Sequence, residues 1–207
     1  LGSLPAVALS APLPFVRAHS SNNQVVKSPP YLKPGDCIGI VSPAGFIDKE
    51  ALEPSLQQLA VWGFTTRIGS SIGKRDFTFG GTDEERLHDL QKMLDDPTIK
   101  AILCARGGYG VVRIVDRIDW QQFIQHPKWI IGFSDITVLH SHIHYQANVA
   151  SIHSKMCNSF PDAGSIVEPE QRASIESIKN CLTGMQMEYT VPANIFNRFG
   201  DARGELV

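Results

Sequence analysis

The sequence predicts an α/β fold with three layers, α/β/α, built on a mainly parallel sheet. Short continuous apolar runs alternate with amphipathic stretches along residues 31–185. Such apolar runs are typical of strands buried on both faces, and these occur in parallel sheets that helices cover on each side. The alternation is missing from residues 1–30 and fades after residue 185. We therefore expect one α/β domain over 31–185.

Five strands are predicted from short runs rich in β-branched and aromatic residues. Turn-forming residues bound these runs, as Pro34, Gly35 and Asp36 do before the first of them. The predicted strands are residues 37–41, 64–68, 99–105, 129–133 and 149–152.

Helices are predicted between the strands from apolar residues three and four positions apart. The first, over 49–62, stops at Gly63 and must hold Pro54 in its first turn. Thr82 and Glu85 form a capping-box pattern that opens a helix closed by Pro97. Further helical patterns cover residues 111–118, 138–145 and 170–182.

Composition excludes several classes of protein. Nineteen basic and 21 acidic residues give a net charge of −2, and no basic run is present, so we expect no nucleic-acid partner. The four cysteines are widely spaced without zinc-ligand or disulfide patterns, which indicates small core residues. His140, His142 and His144 lack a metal-site context, so we interpret them as structural or surface residues and expect no cofactor.

The two ends of the chain differ from the central domain. Residues 1–9 are apolar and rich in small side chains, and 11–14 interrupt them with prolines, which favours the remnant of an export signal followed by a linker to residue 30. A disordered or artificial arm and a cytoplasmic location stay as alternatives. The apolar part is too short to span a membrane. Residues 186–207 predict the first strands of a β-rich second domain that is cut off.

The stretch 129–137 is the centre of the functional prediction. An apolar strand meets Gly132, then Ser134 and Asp135, and then a helical pattern. A serine at a sharp strand-to-helix turn stands clear of the sheet edge, beside free N–H groups that stabilise negative charge. The alternative is that Ser134 or Asp135 only caps the helix.

Other residues reach the same edge of the predicted sheet. Ser42, Gly107 and Gly108 each follow a strand, as Ser134 does. In parallel sheets the functional crevice lies at the carboxyl ends of the strands. This coincidence favours a site over a simple helix cap.

Residues 33–160 resemble the LD-carboxypeptidase family, serine peptidases that trim murein tetrapeptides, and microcin C self-immunity peptidases share the pattern. The motifs that carry the resemblance are 32–44, 105–110 and 131–140, with weaker support from 80–86. The resemblance implies that Ser134 is the nucleophile. It also implies an oxyanion hole made by the N–H of Asp135 and one N–H from Gly107 or Gly108.

The resemblance further implies a murein peptide as substrate and release of its terminal D-alanine by cleavage of an L-to-D bond. Candidate substrate-binding residues are Ser42, Arg106, Tyr109 and His153. Two departures stand out. Residues 153–156 read His-Ser-Lys-Met where the family usually has His-Gly-Pro-Met. The family's Glu and His partners follow the serine in a C-terminal β domain, and no Glu or His of this sequence stands in that context.

Two alternatives stay open. One is a non-enzymatic α/β domain that binds a muropeptide or a phosphorylated ligand. The loop 107–110 is rich in glycine, but it lacks the spacing and the lysine of known phosphate loops. The other is metal-dependent hydrolysis. The sequence also leaves open whether the protein forms a homodimer.

Overall fold

The computed structural model describes residues 25–162 and 164–187. Its strands are β1 (Cys37–Val41), β2 (Thr65–Ile68), β3 (Ile99–Cys104), β4 (Trp129–Gly132) and β5 (Ile152–His153). Its α-helices are α1 (Glu53–Val61), α2 (Asp83–Asp95), α3 (Gln121–Gln125), α4 (Thr137–Ala147) and α5 (Pro169–Thr183). Short 3-10 turns cover Glu50–Leu52, Val111–Arg113, Val115–Arg117, Ser134–Ile136 and Cys157–Ser159.

The five strands form one sheet in the order β2-β1-β3-β4-β5, and every pairing is parallel. The chain runs outward from β1 to β2 and then outward again from β3 to β5. The order therefore reverses between β1 and β3, which is where open α/β sheets form a crevice at their carboxyl edge. The loops that follow β1 and β3 face each other across this point.

Alternate strand residues feed two separate cores, one on each face of the sheet. Ile40 and Ile131 pack with α1 and α5, whereas Ile102 and Ile130 pack with α2, α3 and α4. The predicted three-layer α/β/α fold with a parallel sheet is therefore confirmed. The capping box of α2 also forms, since Thr82 accepts from the N–H of Glu85 and Glu85 accepts from the N–H of Thr82.

One predicted helix is wrong. Residues 111–118 form two 3-10 turns, because the backbone at Ile114 (φ −119°) departs from helical values. The apolar positions still face the core, since a spacing of three satisfies a 3-10 turn as well as an α-helix. The short helix α3 was not predicted, and none of its residues carries a cap signal.

The fifth strand and the linker before the domain also differ from prediction. Strand β5 starts at Ile152, while Val149 instead forms an isolated parallel bridge with Lys27. The Lys27 N–H donates to Asn148 O at 2.8 Å, and Lys27 O accepts from the Ala150 N–H at 2.8 Å. The last residues of the predicted linker thus pair with the segment before β5.

Two other predictions concern residues outside the described ranges. The export signal falls on residues 1–24, and the second domain falls almost wholly on 188–207. Among the described residues, no helix is long and apolar enough to cross a membrane.

Candidate active site at the carboxyl edge of the sheet

Ser134 lies at a sharp turn between β4 and α4, and its backbone is in the left-handed region with φ 61°. Phe133 before it is extended, and the 3-10 turn that starts at Ser134 runs directly into α4. A non-glycine residue in this region costs about 1–3 kcal/mol and persists only where its surroundings enforce it. The predicted strained turn at Ser134 is present.

Packing under the turn fixes its course. A Cβ atom on Gly132 would lie 2.7–2.9 Å from the side chain of Ile136, so the helix sits directly on the end of the strand. The N–H of Ile136 donates to Phe133 O at 3.2 Å. The side chain of Ser134 is exposed and has no hydrogen-bond partner in the described part of the chain. The hydroxyl is therefore accessible and chemically uncommitted.

The loop after β3 contacts the turn through Gly107. A Cβ atom on Gly107 would lie 3.2 Å from Ser134 Cβ and 3.3 Å from Phe133 O. Gly108 beside it is exposed, with φ 111°. The glycines thus let one backbone approach another closely, as an oxyanion hole requires. The structure brings Ser134, Gly107 and Gly108 together as predicted.

The carboxylate of Asp135 joins the same two loops. Its Oδ2 accepts a hydrogen bond from the Val111 N–H at 3.0 Å, at the start of a 3-10 turn. The backbone N–H of Asp135 itself lies in the first turn of the helical segment, where N–H groups lack intrahelical acceptors. The side chain therefore holds the loop after β3 while the N–H stays available.

Arg86 links the loop after β1 to the loop after β3, a role that the sequence did not reveal. The side chain is fully buried, and its Nη1 donates to Pro43 O at 2.5 Å and to Gly110 O at 3.0 Å. Its ion pair is with Asp83. Burial lowers the pKa of Arg86, and Asp83 opposes that effect. An arginine that follows a capping box carries no distinctive sequence signal of burial.

Arg106 and Tyr109 form part of the exposed rim. Arg106 Nη1 donates to Phe46 O at 3.0 Å, and no carboxylate pairs with this guanidinium among the described residues. Tyr109 is 57% exposed and packs against Phe79 with 6.1 Å between ring centroids. Phe77 is another exposed aromatic residue, held at φ 53°. The rim is therefore cationic and aromatic.

The structure gives no support to the predicted role of Ser42 in substrate binding, because its side chain is buried. The residue is 1% exposed, and its hydroxyl donates to Gly45 O at 2.5 Å. Its backbone N–H donates to Ser71 Oγ at 3.0 Å. Ser42 helps to fix the loop after β1, since both its hydroxyl and its N–H are engaged within the protein.

His153 is exposed at the end of β5, beside the ring of Phe133 at 6.4 Å. It borders a cavity of about 500 Å³ next to the Ser134 turn, lined also by Ser151, Ser154, Lys155, Ser174 and Ser177. A second cavity of about 800 Å³ lies away from this edge, lined by Lys27, Lys33, Lys100 and Lys128 among others. Only the first adjoins the turn.

The three histidines of α4 have different surroundings. His140 Nε2 lies 3.0 Å from Gly132 O, and burial lowers the pKa of His140. His142 lies 3.3 Å from Asp116 on the surface, and His144 is exposed. Within the described ranges, no group of three potential ligands is placed to hold a metal ion.

Several features that could serve chemistry meet at this edge of the sheet. It offers an exposed hydroxyl, close backbone donors and a positively charged rim. No histidine or carboxylate contacts the Ser134 hydroxyl in the portion of the chain that is described. A serine hydroxyl is a weak nucleophile without such a partner.

Comparison with known proteins finds relatives that are named carboxypeptidases. Residues 38–154 match the model of the LD-carboxypeptidase N-terminal domain. The probable murein peptide carboxypeptidase of Bacillus subtilis is 35% identical over 182 residues, covering 86% of this chain and 56% of that protein. The murein tetrapeptide carboxypeptidase of Pseudomonas aeruginosa is 34% identical over 158 residues, covering 74% of this chain and 51% of that protein.

The fold is also found among solved structures. The structure of MccF in complex with glutamyl sulfamoyl guanosine superposes with a TM-score of 0.70 at 26% identity, covering 82% of this chain and 51% of that one. The chain thus spans about half the length of the relatives it matches.

Proposed function

The chain belongs to the LD-carboxypeptidase family, and on that premise we propose that the protein is a serine carboxypeptidase. Its substrate would be a murein tetrapeptide, from which it releases the terminal D-alanine during cell-wall recycling. The observation that carries this proposal is the exposed Ser134 at φ 61°, which contacts the Gly107 backbone and whose hydroxyl has no partner among the described residues. A helix cap alone would not require a strained backbone.

In the proposed reaction, Ser134 Oγ attacks the carbonyl carbon of the L-to-D peptide bond. The oxygen of the tetrahedral intermediate accepts hydrogen bonds from the N–H of Asp135 and from an N–H at 107–108. Each such donor contributes about 3 kcal/mol in characterised sites. The C–N bond then breaks, and D-alanine leaves with the proton taken from Ser134. Water hydrolyses the resulting acyl-enzyme ester and restores the hydroxyl.

We place the Glu and His that would activate Ser134 outside the described residues. This fits the absence of such a partner from the described part of the chain and the family order of catalytic residues. Loss of triad partners costs about 10⁴–10⁶ in rate. No Glu or His of the 207-residue sequence stands in the family's context for these partners, so we expect no detectable D-alanine release from this chain alone.

Substrate recognition is proposed for the rim. One nitrogen of the Arg106 guanidinium donates a hydrogen bond to Phe46 O. Its remaining N–H groups are then available to bind a peptide carboxylate. Tyr109 offers an exposed ring beside the glycine loop. His153 and Lys155 border the neighbouring cavity. A murein tetrapeptide carries several carboxylates, so a cationic rim suits it.

The proposal is tested by a fluorophosphonate label, which reacts with activated serines. We expect the protein expressed from its whole gene to be labelled and to release D-alanine from the tetrapeptide. Ser134→Ala should abolish labelling, while the matched Ser42→Ala variant should keep it. Labelling that persists in Ser134→Ala would refute the nucleophile assignment.

The same experiment separates the alternatives. Saturable muropeptide binding without labelling would favour a non-enzymatic binding domain. Cleavage of an aminoacyl sulfamoyl nucleoside in preference to the tetrapeptide would instead favour an activity on the type of ligand named for the MccF structure. Loss of turnover with a chelator would indicate metal-dependent hydrolysis.

Export to the cell envelope is a further part of the proposal, supported by the apolar character of residues 1–9. Fractionation of cells that express the whole gene tests it. Protein confined to the cytoplasmic fraction would refute export.

A further inference from the structure

His140 contacts the end of β4, two residues before Ser134. Its Nε2 lies 3.0 Å from Gly132 O. A carbonyl oxygen only accepts hydrogen bonds, so Nε2 carries the proton and donates. The same oxygen also accepts from the Ser154 N–H at 3.0 Å, from the chain just after β5. Two donors from different elements therefore converge on the strand end.

The other ring nitrogen of His140 supports this protonation state. Nδ1 is buried and has no hydrogen-bond partner in the described part of the chain. A proton on Nδ1 would be buried without an acceptor, which is costly. The His153 ring, 5.9 Å away on β5, also disfavours a charged His140. The ring is thus held neutral, with its single N–H directed at Gly132.

The hydrogen bond from His140 to Gly132 O links α4 to β4 across the turn that holds Ser134. Gly132, Ile136 and His140 are spaced by four residues, and the first contacts both of the others. The Gly132–Ile136 contact sets how closely the helix approaches the strand. The His140 bond sets how the helix is rotated above it. Between these contacts lie Phe133, Ser134 and Asp135.

We propose that His140 is a positioning residue, which holds the Gly132 carbonyl and thereby keeps Ser134 in its left-handed conformation for attack. This inference rests on the proposed function. A strained residue needs neighbours that enforce its geometry. The Asp135–Val111 bond fixes the turn from the β3 side, and the His140 bond fixes it from the helix side.

The charged groups around His140 agree with this role. His153 and Lys155 lie on the β5 side, where Lys155 Nζ is 5.8 Å from the Phe133 ring. On α4 itself, His144 is one turn away and exposed. No carboxylate faces Nδ1 among the residues that the structure describes. Nothing there would stabilise a second proton, so the donor stays defined.

Three substitutions in the protein expressed from its whole gene test the inference. Glutamine places an amide N–H near the position of histidine Nε2, asparagine near that of Nδ1, and methionine offers no donor. We expect His140→Met and His140→Asn to lower kcat by about 10- to 100-fold, since a misplacement of about 1 Å has that scale of effect. KM should change little, and His140→Gln should restore kcat to within about threefold.

The control is His142→Gln on the same helix, where the imidazole Nε2 lies 3.3 Å from Oδ1 of the exposed Asp116. It should leave kcat and the labelling rate of Ser134 unchanged. Thermal unfolding of every variant shows whether lost activity reflects lost folded protein. A merely structural role would lower Tm without lowering kcat per folded molecule.

The outcomes separate the inference from the function on which it rests. A wild-type protein that the fluorophosphonate does not label overturns both. A labelled wild type whose His140→Met and His140→Asn variants react at the same rate overturns the inference alone. Equal loss in the glutamine and asparagine variants also overturns it, because a donor at Nε2 would then be irrelevant.

Discussion

Two serines follow strands at the same edge of the sheet, and their surroundings are opposite. Ser42 follows β1, is buried, and donates its hydroxyl to Gly45 O. Ser134 follows β4, is exposed, and has φ 61°, and its hydroxyl has no partner in the part of the chain that the structure describes. Each faces a glycine, since a Cβ on Gly80 would lie 2.8 Å from Ser42 Cβ and one on Gly107 would lie 3.2 Å from Ser134 Cβ.

The difference shows that a position at the carboxyl edge of the sheet does not by itself make a side chain available for reaction. The loop after β1 uses its serine to satisfy its own backbone, which is what buried hydroxyls generally do. The turn after β4 places its serine where no group of the described residues bonds to its hydroxyl. An unsatisfied, accessible hydroxyl on an enforced backbone is available to a substrate.

The largest predicted effect is the loss of kcat on removal of the Ser134 hydroxyl, compared with removal of the Ser42 hydroxyl. In the protein from the whole gene, Ser134→Ala should lower kcat for D-alanine release by about 10⁴- to 10⁶-fold, because the nucleophile is lost. Ser42→Ala should leave kcat within a few-fold. If Ser42→Ala lowers kcat per folded molecule as much as Ser134→Ala, the contrast between the two loops is wrong.

The next largest effects concern Gly107 and Gly80, the glycines that face Ser134 and Ser42. Gly107→Ala should lower the fluorophosphonate reaction rate by about 10²- to 10³-fold, the cost of a displaced oxyanion donor. Gly80→Ala should instead destabilise the fold by about 1–3 kcal/mol, because its methyl group overpacks the buried Ser42. Labelling kinetics and urea unfolding measure the two effects. A purely structural response at Gly107 would remove it from the oxyanion hole.

A smaller effect concerns the free energy of unfolding. Ser42→Ala removes a buried hydrogen bond and should lower stability by about 0.5–1.5 kcal/mol. Ser134→Ala should lower it by less, since the exposed hydroxyl makes no bond in the described structure. Urea unfolding of both variants at neutral pH gives the comparison. A larger loss at Ser134 would reveal a contact that the structure does not show.

The last prediction concerns how stability depends on pH through His140, next to the Ser134 turn. Burial and His153 lower the pKa of His140. Between about pH 6.5 and the lower native value, the unfolded chain therefore binds a proton that the folded chain does not. Stability then falls as the pH falls through this window, by at most about 1.4 kcal/mol per pH unit. His140→Gln should remove this contribution, as urea unfolding at pH 7.5 and 5.5 would show. An unchanged pH dependence would contradict it.

The sequence was sufficient for the first four strands, because short continuous apolar runs bounded by turn residues are typical of a covered parallel sheet. It was also sufficient for the turn at Ser134, where strand, glycine, serine and helix follow one another. It did not separate Ser42 from Ser134, since burial depends on the distant Ser71 and Gly80. Nor did it reveal Arg86, whose bonds to Pro43 and Gly110 span 43 and 24 residues.

The buried Arg86 has a consequence for how this site can change. It anchors the loops after β1 and β3 through carbonyl oxygens, which every amino acid possesses. Side chains on the outer surface, such as Phe77 and Tyr109, take no part in that anchoring. Selection can therefore exchange the outer residues and their ligand preference without dismantling the framework beneath them. A randomised library at those outer positions is the natural starting point for altering what this protein recognises.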